Sequence, residues 1–325
     1  MPFSPIAQRR IEQFRRNRRA YYSLWMFVAL FLFSSFAELV ANDKPIIVSY
    51  NNSFYFPIAQ SYPETAFGGE FETQADYRDP FVKKLIEDKG WMLWPPVHYS
   101  YQSINYNLNV PAPSSPTTEN LLGTDDQGRD VFARLIYGFR ISILFGLILT
   151  VLGSIAGVIV GAMEGYFGGL FDLLSQRFIE IWSGMPVFFL LIIMSSVITP
   201  GFFTLLLLML LFSWMTLVDV VRAEFLKARN LDYIRAAKAL GVTTPVIMFK
   251  HALPNAMVAT LSMMPFVLTG SITTLTGLDF LGFGLPPGSP SLGGLLSQGK
   301  NNLQAPWLGI TAFLSLAIML SLLTF

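Results

Sequence analysis

Six apolar runs, each about twenty residues long, constrain this chain more than any other feature. They are 21–40, 141–162, 178–198, 202–221, 257–278 and 307–325. An α-helix rises about 1.5 Å per residue, so twenty residues cross a hydrocarbon layer of about 30 Å with every backbone group bonded internally. The composition agrees. The 325 residues are 53% hydrophobic and only 13% charged, where a soluble domain carries roughly 25% charged residues. An all-α membrane protein with six transmembrane helices is therefore expected. The absence of Cys excludes disulfides and thiolate metal sites. The two histidines, His98 and His251, are too far apart in sequence to suggest a metal site. No catalytic constellation stands out, so no cofactor or metal is expected in this chain.

Charge distribution orders the runs. Residues 1–20 carry Arg9, Arg10, Arg15, Arg16, Arg18 and Arg19 against Glu12 alone. Directly before an apolar run, such a cluster reads as a cytoplasmic anchor rather than a nucleic-acid patch, and 21–41 as an uncleaved first helix. Segment 42–138 is polar, with seven cations against twelve acids, and is expected on the opposite side. Within it, Ile46–Tyr50 and Phe54–Phe56 flank Asn51-Asn52-Ser53 as a β-hairpin. Residues 79–88 suit a short helix, and Trp91, Trp94, Tyr99 and Tyr101 form an aromatic, Pro-rich patch. Residues 111–118 read as a linker. A small extracytoplasmic mixed α/β insert is the expectation, ending in an interfacial helix at 130–137. Residues 139–325 then hold five more spans.

Gly153, Gly157, Gly161 and Gly165 recur on one helix face, as expected for close helix packing, a second subunit being one candidate neighbour, rather than for a ligand site. A short cytoplasmic turn is expected over 164–177. Arg177 and Glu180 can pair at three residues' spacing, Pro186 would kink its helix, and Pro200-Gly201 reads as an external turn. Asp219 and Arg222 have the pairing spacing too. An alternative function, proton-coupled transport through Asp219, Glu180 or Glu164, starts from these acids. Another alternative is a membrane-anchored binding or scaffold protein working through 42–120.

One polar stretch, 230–254, interrupts the second half. Asn230 or Asp232 can cap a short helix to about Leu240, which Gly241 stops in a left-handed conformation. Thr243 or Thr244 with Pro245 restarts a helix, and Pro254 is expected to break it. Leu231, Ile234, Ala237 and Leu240 share one face. Residues 222–256 hold six cations and two acids, which puts this bend on the cytoplasmic side.

Arg235-Ala236-Ala237, Gly241 and Leu253-Pro254 resemble the EAA loop of ABC importer permeases. In that pattern Glu-Ala-Ala is followed at fixed spacing by Gly and by Leu-Pro. Arg235 stands here in the Glu position and His251 where Ile is usual. Asp219 stands where the family commonly has Arg. Gly123, Thr124, Asp125, Gly128, Arg129 and Asp130 resemble the GTD-x-x-GRD signature of the dipeptide and oligopeptide branch. The external run LGFGLPPGSPSLGG over 281–294 is similar to a loop of that branch. The Arg-rich start and aromatic insert further resemble permeases of microcin C and oligopeptide importers. The resemblance implies the type I permease fold and a bacterial inner-membrane location. It implies coupling through 226–256, where Arg235, Ala236, Ala237, Leu240, Gly241, Leu253 and Pro254 would seat on an ATPase subunit. The implied partners are a second permease subunit, ABC ATPase domains, separate or as a fused pair, that bind ATP and Mg²⁺, a periplasmic peptide-binding protein and the lipid bilayer. No nucleic acid is implied.

Gly294, Gly299, Lys300 and Asn301 imitate a phosphate-binding loop. Asn replaces the hydroxyl residue that holds Mg²⁺ and no strand precedes it, so this reading is rejected. Family members commonly continue past the sixth span into a short polar tail, so the resemblance implies a chain longer than Phe325.

Overall fold

The computed structural model describes residues 12–198 and 201–325. Arg9, Arg10 and Pro200 lie outside the described residues. The chain forms two compact units, one of 24–141 with 287–319, the other of 142–286 with the segments up to 23 and from 320.

In the first unit, helix α1 (Arg18–Ser35) breaks at Phe36 and is followed by one turn, Ala37–Val40. Glu38 is no unpaired acid. Its two oxygens accept from Arg140 Nη1 and Nη2, each at 2.9 Å. The hairpin forms as expected, β1 (Ile47–Tyr50) against β2 (Ser53–Tyr55). Asn51 and Asn52 take φ of 48° and 59°, the left-handed pair that matches the twist of a two-residue turn. A strand missed in the sequence, β3 (Gly90–Leu93), pairs with the other edge of β1, giving the order β2-β1-β3. Gly90 is needed there, since a Cβ would stand 1.7 Å from the Ser49 carbonyl oxygen. Helix α2 (Pro80–Glu87) lies close to the expected bounds. The Asp79 side chain accepts from Phe81 N at 2.7 Å, and Pro80 opens the helix where no N–H is required. Val48, Val82, Ile86, Phe67 and Tyr77 close the core of the insert. The Phe67 ring sits edge-on to Tyr50, Tyr55 and Tyr77 at 5.1–5.7 Å.

The long helices depart from the expected boundaries. Helix α3 (Val131–Phe167) runs 37 residues without a break, so the interfacial helix and the second span are one element. Nothing between 131 and 167 interrupts the α pattern, and a lone Gly138 does not stop a helix held on both sides. The expected turn shrinks to Gly168-Gly169, with φ of 64° and 62°. Helix α4 (Gly169–Ser183) follows, and α5 (Val187–Val197) is bent from it by 69°. Pro186 therefore marks a full break rather than a kink inside one helix. Helix α6 (Phe202–Ala228) continues past the expected end at 221, α7 (Asp232–Ala239) lies in the polar stretch, and α8 (Thr244–Phe280) is a third long helix. The expected external loop holds a further helix, α9 (Leu292–Asn301), before α10 (Pro306–Thr324). Gly294 and Gly299 are thus helical, and the Ser291 hydroxyl caps α9 by accepting from Gly294 N at 3.1 Å. Among the described residues, four helices are long and apolar enough to span a membrane, or five if α4 and α5 count as one bent span.

The glycine stripe finds its partner within the chain. A Cβ on Gly157, Gly161 or Gly165 would lie 2.4–2.5 Å from the carbonyl oxygens of Trp214, Val218 and Arg222 on α6. The expected close packing is that of α3 against α6, backbone to backbone. Gly161→Val is expected to cost about 1–3 kcal/mol through overpacking and to lower the thermal midpoint of the purified protein. Gly270→Ala, with nothing within 4 Å of its Cβ, should leave the midpoint unchanged or raise it.

Candidate functional site

Two constellations gather the residues singled out by the sequence. The first is the bend at α7. Neither expected cap forms. Asn230 Nδ2 donates back to Leu226 O at 3.1 Å, and Asp232 lies inside the first turn, leaving Leu231 at the cap with no side-chain bond. The stop is as expected. Gly241 takes φ of 78°, Val242 N donates to Ala237 O and Gly241 N to Lys238 O, both at 3.1 Å. This bond pair closes a helix end on a left-handed glycine. The restart at Thr243-Thr244-Pro245 also occurs, with Thr243 extended before the helix and Pro245 in its first turn.

Pro254 does not break α8. The turn ahead of it, Ile247–Ala252, is π-helical. A π turn is one residue wider than an α turn, so it absorbs the bond and the space that the Pro ring denies. The helix continues from Leu253 to Phe280.

The shared apolar face of the bend splits in two. Ile234 is 3% exposed and packs with Ile247, Met248 and Ala252, with Ala237, Val242 and Leu253 beside them. Leu240 is 83% exposed and Leu231 is 40% exposed. Arg235, Ala236, Lys238 and Gly241 are exposed with them. Tyr233 Oη accepts from Asn255 Nδ2 at 2.9 Å and ties α7 to α8. Leu253 and Pro254 thus serve the bend from within α8, while Arg235, Ala236 and Leu240 present the surface.

Close by in the chain, Arg222 does not pair with Asp219. Its Nε and Nη2 donate to Asp172 at 2.5 and 2.9 Å, and Nε lies 3.9 Å from Glu164. Asp219 is exposed. Glu164 is fully buried and accepts from Gln176 Nε2 at 2.6 Å. This network across α3, α4 and α6 has no signature in the sequence, since Asp172 and Arg222 are fifty positions apart. The Arg177–Glu180 pair forms as expected.

The second constellation is the Gly123–Asp130 signature, which folds into a buried knot. Asp125 is 0% exposed and accepts through Oδ1 from the N–H groups of Gln127 and Arg129, both at 2.9 Å. Its Oδ2 faces Arg129 Nε at 2.8 Å and Nη2 at 2.7 Å, with Arg134 Nε at 3.4 Å. Asp130 caps α3 by accepting from Ala133 N at 2.7 Å, and its other oxygen accepts from Asn120 Nδ2 at 2.8 Å. Burial raises the Asp130 pKa against the pull of those bonds. Thr124 Oγ1 accepts from Ser114 N at 2.8 Å, and Thr124 O accepts from Trp307 Nε1 at 3.2 Å. At Gly123, with φ of 76°, a Cβ would stand 2.6 Å from Ser114 O. Gly128 takes φ of 79°. Arg134, which the sequence did not single out, extends the knot by donating to the carbonyls of Tyr101, Gly288 and Ser289. Asp130 starts α3, and Asp125 organises the turn before it. The knot is built to hold segments together and offers no open surface for chemistry.

Residues 150–325 match the family described as binding-protein-dependent transport system inner membrane component. Residues 4–62 match the N-terminal TM domain of oligopeptide transport permease C. The chain is 61% identical over 322 residues to the inner membrane ABC transporter permease protein YejE of Escherichia coli (strain K12), covering 99% of this chain and 94% of that protein. It is 56% identical over 347 residues to the peptidoglycan transport system permease protein YejE of Agrobacterium fabrum, covering 99% and 91%. Identity to the oligopeptide transport system permease protein OppC of Lactococcus lactis subsp. cremoris is 34% over 214 residues, 64% of this chain and 72% of that one. With long apolar helices, the glycine-stopped bend and near full-length similarity in agreement, the chain belongs to the binding-protein-dependent inner-membrane transport permeases.

Proposed function

We propose that this chain is a permease subunit of an ATP-driven peptide importer, forming half of a translocation pathway and taking its motion from an ATPase through the bend at α7. The observation that carries the coupling role is the bend itself. Leu240 stands 83% exposed beside Arg235 and Lys238, on a short helix whose opposite side is fixed by buried Ile234. An exposed leucine on a rigid basic knuckle suits a partner's groove better than it suits water. The relatives named as oligopeptide permeases support the substrate class.

In this reading α1 completes a set of six spans, with the N-terminus and the bend on the cytoplasmic side and the 42–120 segment outside. A second permease subunit completes the pathway, an ATPase pair binds ATP and Mg²⁺, and an external binding protein delivers peptide. A cavity of about 270 Å³ among α3, α5, α6 and α8, with Ser213, Thr216, Ser271 and Thr274 in an otherwise apolar lining, supports a pathway on that side of α8. Of the acids the proton-coupled alternative needs, Asp219 is exposed, Glu180 pairs with Arg177, and buried Glu164 accepts from Gln176 Nε2 and lies 3.9 Å from Arg222 Nε.

The test is co-purification of the ATPase with tagged chain. Leu240→Asp is expected to cut ATPase recovery about tenfold or more, the loss of one buried apolar anchor, with unchanged amounts of chain in the membrane. Full recovery by the variant would remove the bend from the interface.

A further inference from the structure

The insert contains an open cleft of about 990 Å³ that the transport reading leaves unused. Its walls come from the 43–44 segment, the start of α2, β3 and residues 94–107, with Thr118 and Glu119 at one side. Five acids border it, and each has a local bond. Asp76 accepts from the backbone N–H of Arg78 at 2.9 Å, Asp79 caps α2, and Asp43 accepts from Ser103 Oγ at 2.7 Å. Glu119 accepts from Tyr99 Oη at 3.5 Å, and Glu87 lies 3.8 Å from Lys83 Nζ.

Arg78 is different. Its guanidinium lies over the Tyr99 ring at 4.4 Å from the centroid, and none of the ion pairs formed among the described residues includes it. Arg78 is half-buried, with its guanidinium carbon over the Tyr99 ring. The His98 ring lies 4.9 Å from that of Trp94 and is tilted 39° from it. Burial pushes its pKa down, and the charges of Lys83 and Arg78 push it further, ahead of the opposing pull of Glu119. Lys44, Arg78 and Lys83 are the cations among the residues that line the cleft.

We infer that this cleft binds a short peptide by its free C-terminal carboxylate, with the Arg78 guanidinium as the anion partner and the Trp94 and Tyr106 rings as walls for its side chains. A guanidinium offers two parallel N–H donors that match a carboxylate, and the contact with the Tyr99 ring helps to hold Arg78 in place. The volume exceeds what one amino acid needs and lies at the upper end of small-ligand pockets. Tyr106, 84% exposed, offers a face that a bound peptide would cover. The peptide class rests on the importer reading above; the carboxylate site does not.

The test uses the full chain in lipid nanodiscs without any ATPase, titrated calorimetrically with Ala-Ala-Phe, with its C-terminal amide, and with succinate. The free acid is expected to bind at least about tenfold more tightly than the amide or succinate, the scale of one charge-assisted bond. Arg78→Gln should weaken the acid about tenfold and leave the amide unchanged, with an unaltered thermal midpoint. Should that variant misfold, Arg78→Lys, which keeps the charge and loses the fork, is expected to weaken the acid severalfold. Equal binding of acid and amide, parent-like affinity in both Arg78 variants, or no binding at all would overturn the site. Equal binding of succinate would overturn the peptide class. Absence of binding alongside intact ATP-driven uptake in cells would sink the cleft and leave the permease reading standing.

Discussion

Gly241→Val is expected to abolish peptide uptake, by at least about tenfold, while leaving the chain in the membrane at normal levels. The residue holds φ of 78° with nothing within 4 Å of a built Cβ, so the penalty is conformational and not steric crowding by neighbours. A left-handed backbone costs an ordinary residue roughly 1–2 kcal/mol, and more for a β-branched side chain. The cheapest escape is to let α7 run on, which breaks the bonds from Gly241 and Val242 to Lys238 and Ala237 and turns Leu240 away from its present direction. Uptake in cells and chain content of isolated membranes, measured together, check this. Gly241→Asn should retain most uptake, because Asn tolerates the left-handed region. A valine variant with normal uptake would separate the bend from coupling.

Asp125→Ala is expected to destabilise its unit by about 3–5 kcal/mol, the cost of stranding buried charge. Arg129 and Arg134 are 5% and 3% exposed, and Asp125 is the acid that faces both. Two backbone N–H groups, of Gln127 and Arg129, lose their acceptor in the same change. The readout is the thermal midpoint in detergent and the amount of folded chain recovered. Asp126→Ala should be far milder, for no comparable bonds converge on that side chain. Equal losses at the two positions would mean that the knot is not organised around Asp125.

How much of this could be read in advance depends on how far apart the interacting residues lie. The long apolar helices were legible because hydropathy is a local property, though four of them, or five with the bent pair, reach spanning length against six expected; the bend was legible because a left-handed glycine stop is local too. The Asn51-Asn52 turn and the Asp79 cap are likewise set by two or three adjacent residues. What failed was set at a distance. Arg222 has an acid three residues away, yet it points at Asp172 on another helix. The glycine stripe announced a close neighbour and could not say which. Strand β3 has no adjacent turn like Asn51-Asn52 to mark it, and exists because β1 offers it an edge. The signature string marked important positions, but its work depends on Ser114, Asn120 and Arg134, which lie outside the string.

The wide turn at Ile247–Ala252 has a consequence for geometry farther along α8. An α-helix advances about 100° per residue, so one surplus residue in a turn rotates everything downstream by roughly that angle about the axis. The azimuth at which Ser271 and Thr274 meet the cavity among α3, α5 and α6 is therefore set some twenty residues earlier, next to the bend. Lever and lining share a phase, and a single residue of slack between them would point the wrong stripe of the helix inward.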